Sequence, residues 1–493
     1  MSEQHDEYAK PQAAQSVHTI TLDGRDFSYA AEADWFVLRK EEKPTAEVFH
    51  VYYAVDSDDD RRPLTVVFNG GPGAASAYLH MGALGPRRAV FSEDGTPAGP
   101  PVAIVDNAES WLAFTDLVFV DPVGTGFSRA VADGNAKETH DPAAEFWKVE
   151  RDLKALGEFI AGFLSLKHRW DSPIFLAGES YGGFRAAKLA RLAQEHFGVG
   201  INGVVLISPA LELALLDPSD YDILPWIDVL PSMAAAAAHH GKAAAHTDVD
   251  DLAAVLAAAE SLATTTVPSL LLAGDTLPDR DRGRIASRIS AHIGLDRRSI
   301  ERCLGRITPR RFARELLQDR GLVCGMYDAT VTVQDPYPDR DPYAGPDPTL
   351  RAIERVFAAA INTHLRRTLG LATERDYRLL SMEVNKGWQV DIERHALESQ
   401  IGATDDLRYG MSLNPQLKVR ISHGVYDLVT PYFASNRIAR LMRLTDAARE
   451  NLSLRHYPGG HMFYTWRRSR EEFTRDIRAF YAQALPAPAR HPT

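Results

Sequence analysis

Between Pro173 and Phe197 the chain reads as an apolar run, a glycine-flanked serine and an amphipathic stretch. No other segment restricts the fold so tightly. Ile174-Phe175-Leu176-Ala177 has the make-up of a buried strand, and Gly178-Glu179-Ser180-Tyr181-Gly182-Gly183 follows it. From Phe184 to Phe197, Ala187, Leu189, Ala190, Leu192 and Ala193 recur at roughly helical spacing. Strand, tight turn and helix are the context that a nucleophilic G-x-S-x-G turn needs. Glycine on both sides leaves room where any Cβ would clash, and the helix N-terminus turns N–H groups toward charge developing at Ser180. The competing reading is a structural serine in a glycine-rich turn.

The rest of the chain supplies a matching frame. Val17-His18-Thr19-Ile20-Thr21, Phe27-Ser28-Tyr29, Trp35-Phe36-Val37-Leu38 and Val48 to Tyr53 read as an antiparallel meander, with Asp23-Gly24 as a turn. The acidic stretch Asp56–Asp60 reads as a solvated loop. Leu64–Phe68 is a strand running into Asn69-Gly70-Gly71-Pro72-Gly73, and Leu117–Val120 is a second, running into Asp121–Ser128. Asp141-Pro142 offers a helix start, after which Phe146, Val149, Leu153, Leu156, Ile160 and Phe163 form one apolar face. Val204–Ile207 completes a βαβ alternation, which demands a mainly parallel sheet with helices on both faces.

From about Leu211 the texture becomes alanine-rich and helical, at Ala234–Ala238, Ala243–Ala245, Asp248–Ala263, Arg282–Leu317 and Ala352–Leu371. Tyr327–Pro348, rich in Asp and Pro, reads as a loop, and no strand pair is convincing there. The expected organisation is a polar tail over 1–15, core over 16–210, a helical lid insertion over 211–400 and core again over 401–493. In the last part Leu417–Ser422 is a strand ending at Asp427, and Leu452–Tyr457 is another, followed by Gly459-Gly460-His461-Met462. Helices are expected near Phe433–Leu444 and Arg468–Ala484.

Serine hydrolysis needs a base within hydrogen-bond reach and a carboxylate that orients it. Ser180, Asp427 and His461 each follow a strand, in an order that suits such a triad. Among 17 histidines only His461 stands directly after a strand and a glycine pair near the C-terminus. Asp405 and Asp406 are weaker competitors for the carboxylate role.

Composition narrows the classes. With 45% hydrophobic and 25% charged residues the chain is an ordinary globular one, and its formal charge of −11 disfavours nucleic acid and anionic membranes as partners. Two cysteines, Cys303 and Cys324, make no disulfide framework. The polar Met1–Val17 lacks the apolar core of a signal peptide, and no membrane-spanning run is expected, so the expected address is the cytoplasm. No His, Cys or carboxylate cluster has metal-ligand spacing, the glycine-rich loops lack a phosphate cradle's Lys and Ser/Thr, and no cofactor is expected.

Together, Asn69-Gly70-Gly71-Pro72-Gly73, Pro122–Ser128, Gly178–Gly183, Gly424-x-x-Asp427 and Gly460-His461-Met462 resemble the serine carboxypeptidases. The resemblance implies an α/β-hydrolase fold, peptide substrates, and Ser180 as nucleophile, His461 as base and Asp427 as its partner. It further implies an oxyanion hole from the N–H groups of Gly71 and Tyr181, and recognition of the substrate's terminal carboxylate by Asn69 and a protonated Glu179. Departures from the pattern stand at Val67, where eukaryotic members carry Trp, at Ala74, where they carry Cys, and at Ala83, where they carry Glu. With no signal peptide or disulfides, the resemblance points to an intracellular, bacterial-type branch. The expected activity is removal of C-terminal residues through an acyl-enzyme. An esterase, amidase or acyltransferase with the same triad remains the alternative, and a non-catalytic binding protein is a third. Oligomeric state is not readable.

Overall fold

The computed structural model describes residues 8–57, 59, 61–132, 142–246, 251–340, 343, 345–390 and 401–485. Of the stretches above, residues 1–7, Asp58, Asp60, Asp141, 248–250, 341, 342 and 344 lie outside the described residues. Strands β1 (Ala14–Leu22), β2 (Arg25–Lys40) and β3 (Lys43–Val55) form the expected antiparallel meander. Asp23 and Gly24, at φ 52° and 73°, make the first turn. This two-residue turn suits the right-handed strand twist. Glu41 and Glu42, at φ 49° and 66°, make the second with no sequence signature. β1 begins inside the stretch expected as a tail, because Ala14 and Gln15 already pair with Ala33 and Glu32.

β4 (Leu64–Phe68) is followed by a separate small hairpin, β5 (Arg87–Ala89) and β6 (Ile104–Asp106). Next come β7 (Asp116–Val120), the two-residue β8 (Arg129–Ala130) against β3, β9 (Ile174–Glu179) and β10 (Gly203–Ile207). After the long insertion, β13 (Lys418–Gly424) and β14 (Leu452–Tyr457) close a sheet of order β1-β2-β3-β7-β4-β9-β10-β13-β14. From β7 to β14 every neighbouring pair is parallel.

The central strands are apolar on both faces because helices cover both. Phe175, Ala177, Val205 and Ile207 point into one core with Phe473, Ile477 and Phe480 of the helix Arg467–Ala484. Leu176, Val204 and Leu206 point into the other, under the helices Val149–Leu166 and Tyr181–Phe197. Phe146, Val149, Leu153, Leu156, Ile160 and Phe163 are all buried there. That first helix starts at Val149 rather than at Asp141-Pro142, since Pro142–Phe146 winds as a 3₁₀ turn.

The stretch expected as one insertion packs as two units. Helices within 224–317 build their own core, in which Ala234–Ala238 are buried and let the backbones approach. The helix Pro348–Thr363, by contrast, sends Ile353, Val356, Phe357 and Ile361 into a sheet-face core. One expectation is corrected here: Leu322–Cys324 (β11) and Thr332–Gln334 (β12) do form an antiparallel pair, too short and too little alternating to be read from sequence. A second correction concerns Leu252–Thr276, which by length and composition is apolar enough to cross a membrane. In the structure it is two helices, Leu252–Thr265 and Val267–Ala273, broken at Thr266, and Val255, Ala259, Leu262 and Leu270 face the insertion's core. Cys303 and Cys324 are both free.

Candidate active site

Ser180 sits between β9 and the helix Tyr181–Phe197 at φ 60° and ψ −124°, a strained backbone held from several sides. Its N–H donates to Ile207 O at 3.0 Å, and its carbonyl accepts from Ala210 N at 3.1 Å. The flanking glycines are sterically required. A Cβ on Gly178 would come within 2.0 Å of Gly182 O, and one on Gly182 within 2.5 Å of Phe68 O. The end of β4 is pressed against the same turn, as a Cβ on Gly70 would lie 2.5 Å from Tyr181 N. Gly71, at φ 99°, therefore borders the start of the helix, where N–H groups and the helix dipole turn toward Ser180. Arg185, fully buried, stabilises this junction by donating to Asn69 O at 2.8 Å while paired with Asp152 at 2.8 Å.

Asp427 and His461, 34 residues apart, meet beyond β13 and β14 with Nδ1 2.7 Å from Asp427 Oδ2. A proton on Nδ1 donated to the carboxylate leaves Nε2 as the basic nitrogen. Asp427 also accepts from Val429 N at 2.8 Å, Thr430 N at 3.1 Å and Thr430 Oγ1 at 2.7 Å. Thr430 Oγ1 lies 3.0 Å from Ser208 O as well, and Ser208 Oγ donates to His461 O at 2.8 Å. Burial pushes the imidazole down, but the Asp427 carboxylate, through its charge and its hydrogen bond, together with Glu179 raises it above the ordinary histidine value. Thr430 and Ser208 were not singled out from sequence, since hydroxyl residues in loops carry no pattern.

Glu179 is 3% exposed, and burial, with Asp427 adding to it, raises its carboxyl to about 7 against the opposing effects of His461, Tyr464 and Asn69. Tyr464 Oη donates to Glu179 Oε2 across 285 residues of sequence. The Asn69 side chain lies near the same carboxyl and lowers it, and its Oδ1 accepts from Leu79 N at 3.0 Å. Tyr464 packs beside the segment that carries Ala83, for a Cβ on Gly82 would meet its ring at 2.7 Å. No sequence motif announced Tyr464.

Asp405 and Asp406 lie elsewhere. Asp406 pairs with Lys188 and Arg191 on the outer side of the helix Tyr181–Phe197. Among the described residues one cluster could ligate a metal: Glu32, Asp34 and His50, on β2 and β3. Lys167 already pairs with Glu32 at 2.6 Å and Lys10 with Asp34 at 2.7 Å, so a cation would have to displace two ammonium groups.

Residues 29–210 match the family model described as serine carboxypeptidase. Serine carboxypeptidase-like 45 of Arabidopsis thaliana is 28% identical over 181 residues, 35% of each chain. A carboxypeptidase Y homolog of Arthroderma benhamiae is 30% identical over 175 residues, 34% of this chain and 30% of its own. The chain thus spans about a third of the length of the curated relatives it matches. The crystal structure of Kex1(delta)p, a prohormone-processing carboxypeptidase from Saccharomyces cerevisiae, superposes with a TM-score of 0.55 at 17% identity, covering 92% of this chain and 91% of that one. That likeness concerns the fold, which extends over the insertion and the C-terminal strands. Asn69, Gly71, Glu179, Ser180 and Tyr181 fall inside the matched segment, whereas Asp427 and His461, hydrogen-bonded to one another, fall outside it. Over residues 29–210 the chain is thus similar in sequence to the serine carboxypeptidases, and it carries that segment on an α/β-hydrolase fold.

Proposed function

We propose that this protein is a serine-type carboxypeptidase acting on peptides with a free C-terminus. The observation that carries the reading is the buried Glu179, hydrogen-bonded by Tyr464 and adjoining Ser180, together with the hydrogen-bonded Asp427–His461 pair that would serve as base. In the proposed reaction Ser180 Oγ attacks the last peptide carbonyl and His461 Nε2 takes its proton. The oxyanion lies against the N–H groups of Gly71 and Tyr181. The proton then passes to the departing amine, the C–N bond breaks, and an acyl-enzyme remains. Water, deprotonated by His461, releases the acid and restores Ser180. Asp427 keeps the imidazole in one tautomer and stabilises its cation. Glu179 in its protonated form, with Asn69, would receive the terminal carboxylate of the substrate. A neutral acid avoids the repulsion that two carboxylates would suffer.

A second reading, an esterase, amidase or acyltransferase using the same groups, is favoured by Val67 and Ala83 and by the engagement of Asn69 Oδ1 with Leu79. The test compares a blocked dipeptide with its C-terminal amide after confirming fluorophosphonate labelling at Ser180. Preference for the free acid supports the exopeptidase. Equal cleavage of both at every pH moves the assignment to the second reading. Two free cysteines suit a reducing compartment, and the proposal places the enzyme in the cytoplasm, to be checked by cell fractionation.

A further inference from the structure

We infer that Asp328, on the turn between β11 and β12 of the insertion, is a positioning residue that holds the Asp427 and His461 loops in register. The inference rests on the triad reading above, and its measurements include one that does not depend on turnover.

The turn touches both loops at once. His461 N donates to Tyr327 O at 2.5 Å, and the Tyr327 ring stands edge-on to the imidazole with centroids 5.3 Å apart. Gly460 N donates to Asp328 Oδ2 at 2.9 Å, and Trp466 Nε1, from beyond His461, donates to the same oxygen at 3.1 Å. On the other side Leu428 N donates to Met326 O at 3.0 Å, and Ala329 N to Tyr426 O at 3.1 Å. Tyr426 and Leu428, on either side of Asp427, are therefore tied to Ala329 and Met326, on either side of Asp328. The fit leaves no slack, since a Cβ on Gly460 would lie 2.1 Å from Tyr327 O.

Asp328 is itself fixed. Its Oδ1 accepts from Thr330 N at 3.0 Å and Thr330 Oγ1 at 2.6 Å, so both carboxylate oxygens are fully used as acceptors. The turn is anchored in turn to the helix Pro348–Thr363, where Asp347 accepts from Met326 N at 2.6 Å and Thr349 Oγ1 from Asp328 N at 3.2 Å. Four N–H or O–H donors on one carboxylate are suited by an ionised, acceptor-only group. An amide can replace it at one oxygen only, and would turn a donor toward either Thr330 or the Gly460–Trp466 pair. Among the described residues Asp328 makes no hydrogen bond to Ser180, Asn69 or Glu179, so loss of its grip should misplace the base without removing a substrate-binding group. A misplacement of about 1 Å costs roughly 10²-fold in rate.

The experiment uses the full chain at pH 8, well above the value of about 6 to which burial raises Asp328. Wild type, Asp328→Ala, Asp328→Asn and Trp466→Phe are compared by kcat and KM, by the rate of fluorophosphonate labelling, and by the far-downfield proton resonance of the His461–Asp427 hydrogen bond. Expected for Asp328→Ala are a kcat roughly 10²-fold lower, KM within about twofold of wild type, and a broadened or shifted downfield proton. Asp328→Asn should fall between, and Trp466→Phe, which deletes one donor and leaves the turn intact, should show a smaller loss in the same direction. If Asp328→Ala does not fold, Trp466→Phe decides alone. A folded variant with unchanged kcat and an unchanged downfield proton overturns the inference. If wild type is neither labelled nor active while the downfield proton still responds to Asp328→Ala, the positioning role stands and the hydrolase reading falls.

Discussion

The sheet core and the alanine-rich half of the insertion are comparable in how deeply they bury their residues and opposite in what they contribute. In the core, Asn69 and Gly71 follow β4, Ser180 follows β9, Asp427 follows β13 and His461 follows β14. Every candidate reacting group thus stands at the carboxyl end of a strand. The helices within 224–317 pack Ala234–Ala238, Ile289 and Phe312 around a separate core and place no candidate group at the site. What they do reach is the underside of the site's loops, since Val425, Tyr426 and Leu428 belong to their core. Chemistry thus comes from strand ends, and the insertion acts on it through the loops that carry Asp427 and His461.

The sharpest break in that comparison is chemical. Ser180→Ala and His461→Ala should each lower kcat by something on the order of 10⁶, and the double variant by little more, because the groups act as a unit. Additive losses in single-turnover assays would show that one of the two is misassigned. Asp427→Asn should fold normally and lose roughly 10⁴ in kcat through the wrong imidazole tautomer. A near-wild-type rate would move that role to another carboxylate.

Stability compares the two regions directly. Phe159→Ala in the sheet core and Phe312→Ala in the insertion each empty a fully buried site and should cost about 3–5 kcal/mol. If the insertion is tied to the sheet through the loops near Asp427, both variants should melt in a single calorimetric transition. A separate early transition in Phe312→Ala alone would make the insertion an independent unit.

Smaller effects probe Glu179. Its carboxyl, raised to about 7, must hold a proton to accept a substrate carboxylate, so kcat/KM for a blocked dipeptide should fall up to about tenfold per pH unit above that value. The acid limb belongs to His461, which must lose its proton to act and whose imidazole the Asp427 carboxylate raises above its ordinary value. Glu179→Gln should flatten the alkaline limb and leave the acid limb in place. Tyr464→Phe removes a hydrogen bond that favours the ionised form, so the alkaline limb should move up by roughly one unit. A limb unmoved in pH-rate profiles of that variant would mean that another group titrates there.

The strands, the turn at Ser180 and the glycine-rich loop after β4 were legible because their requirements are local. A run of apolar residues suits a strand covered on both faces, and only glycine tolerates the approaches at Gly178 and Gly182. His461 and Asp427 were legible for the same reason, as residues that follow strands. The packing of the insertion was not, because alanine-rich helices have no face distinct enough to show which partner each will meet. Nor were Thr430 on Asp427, Tyr464 on Glu179 or Asp328 on the His461 loop. Tyr464 and Glu179 stand 285 residues apart, and Asp328 and Gly460 132. Ordinary residue types at such separations become partners only when packing brings their elements together, and that was decided by the tertiary structure alone.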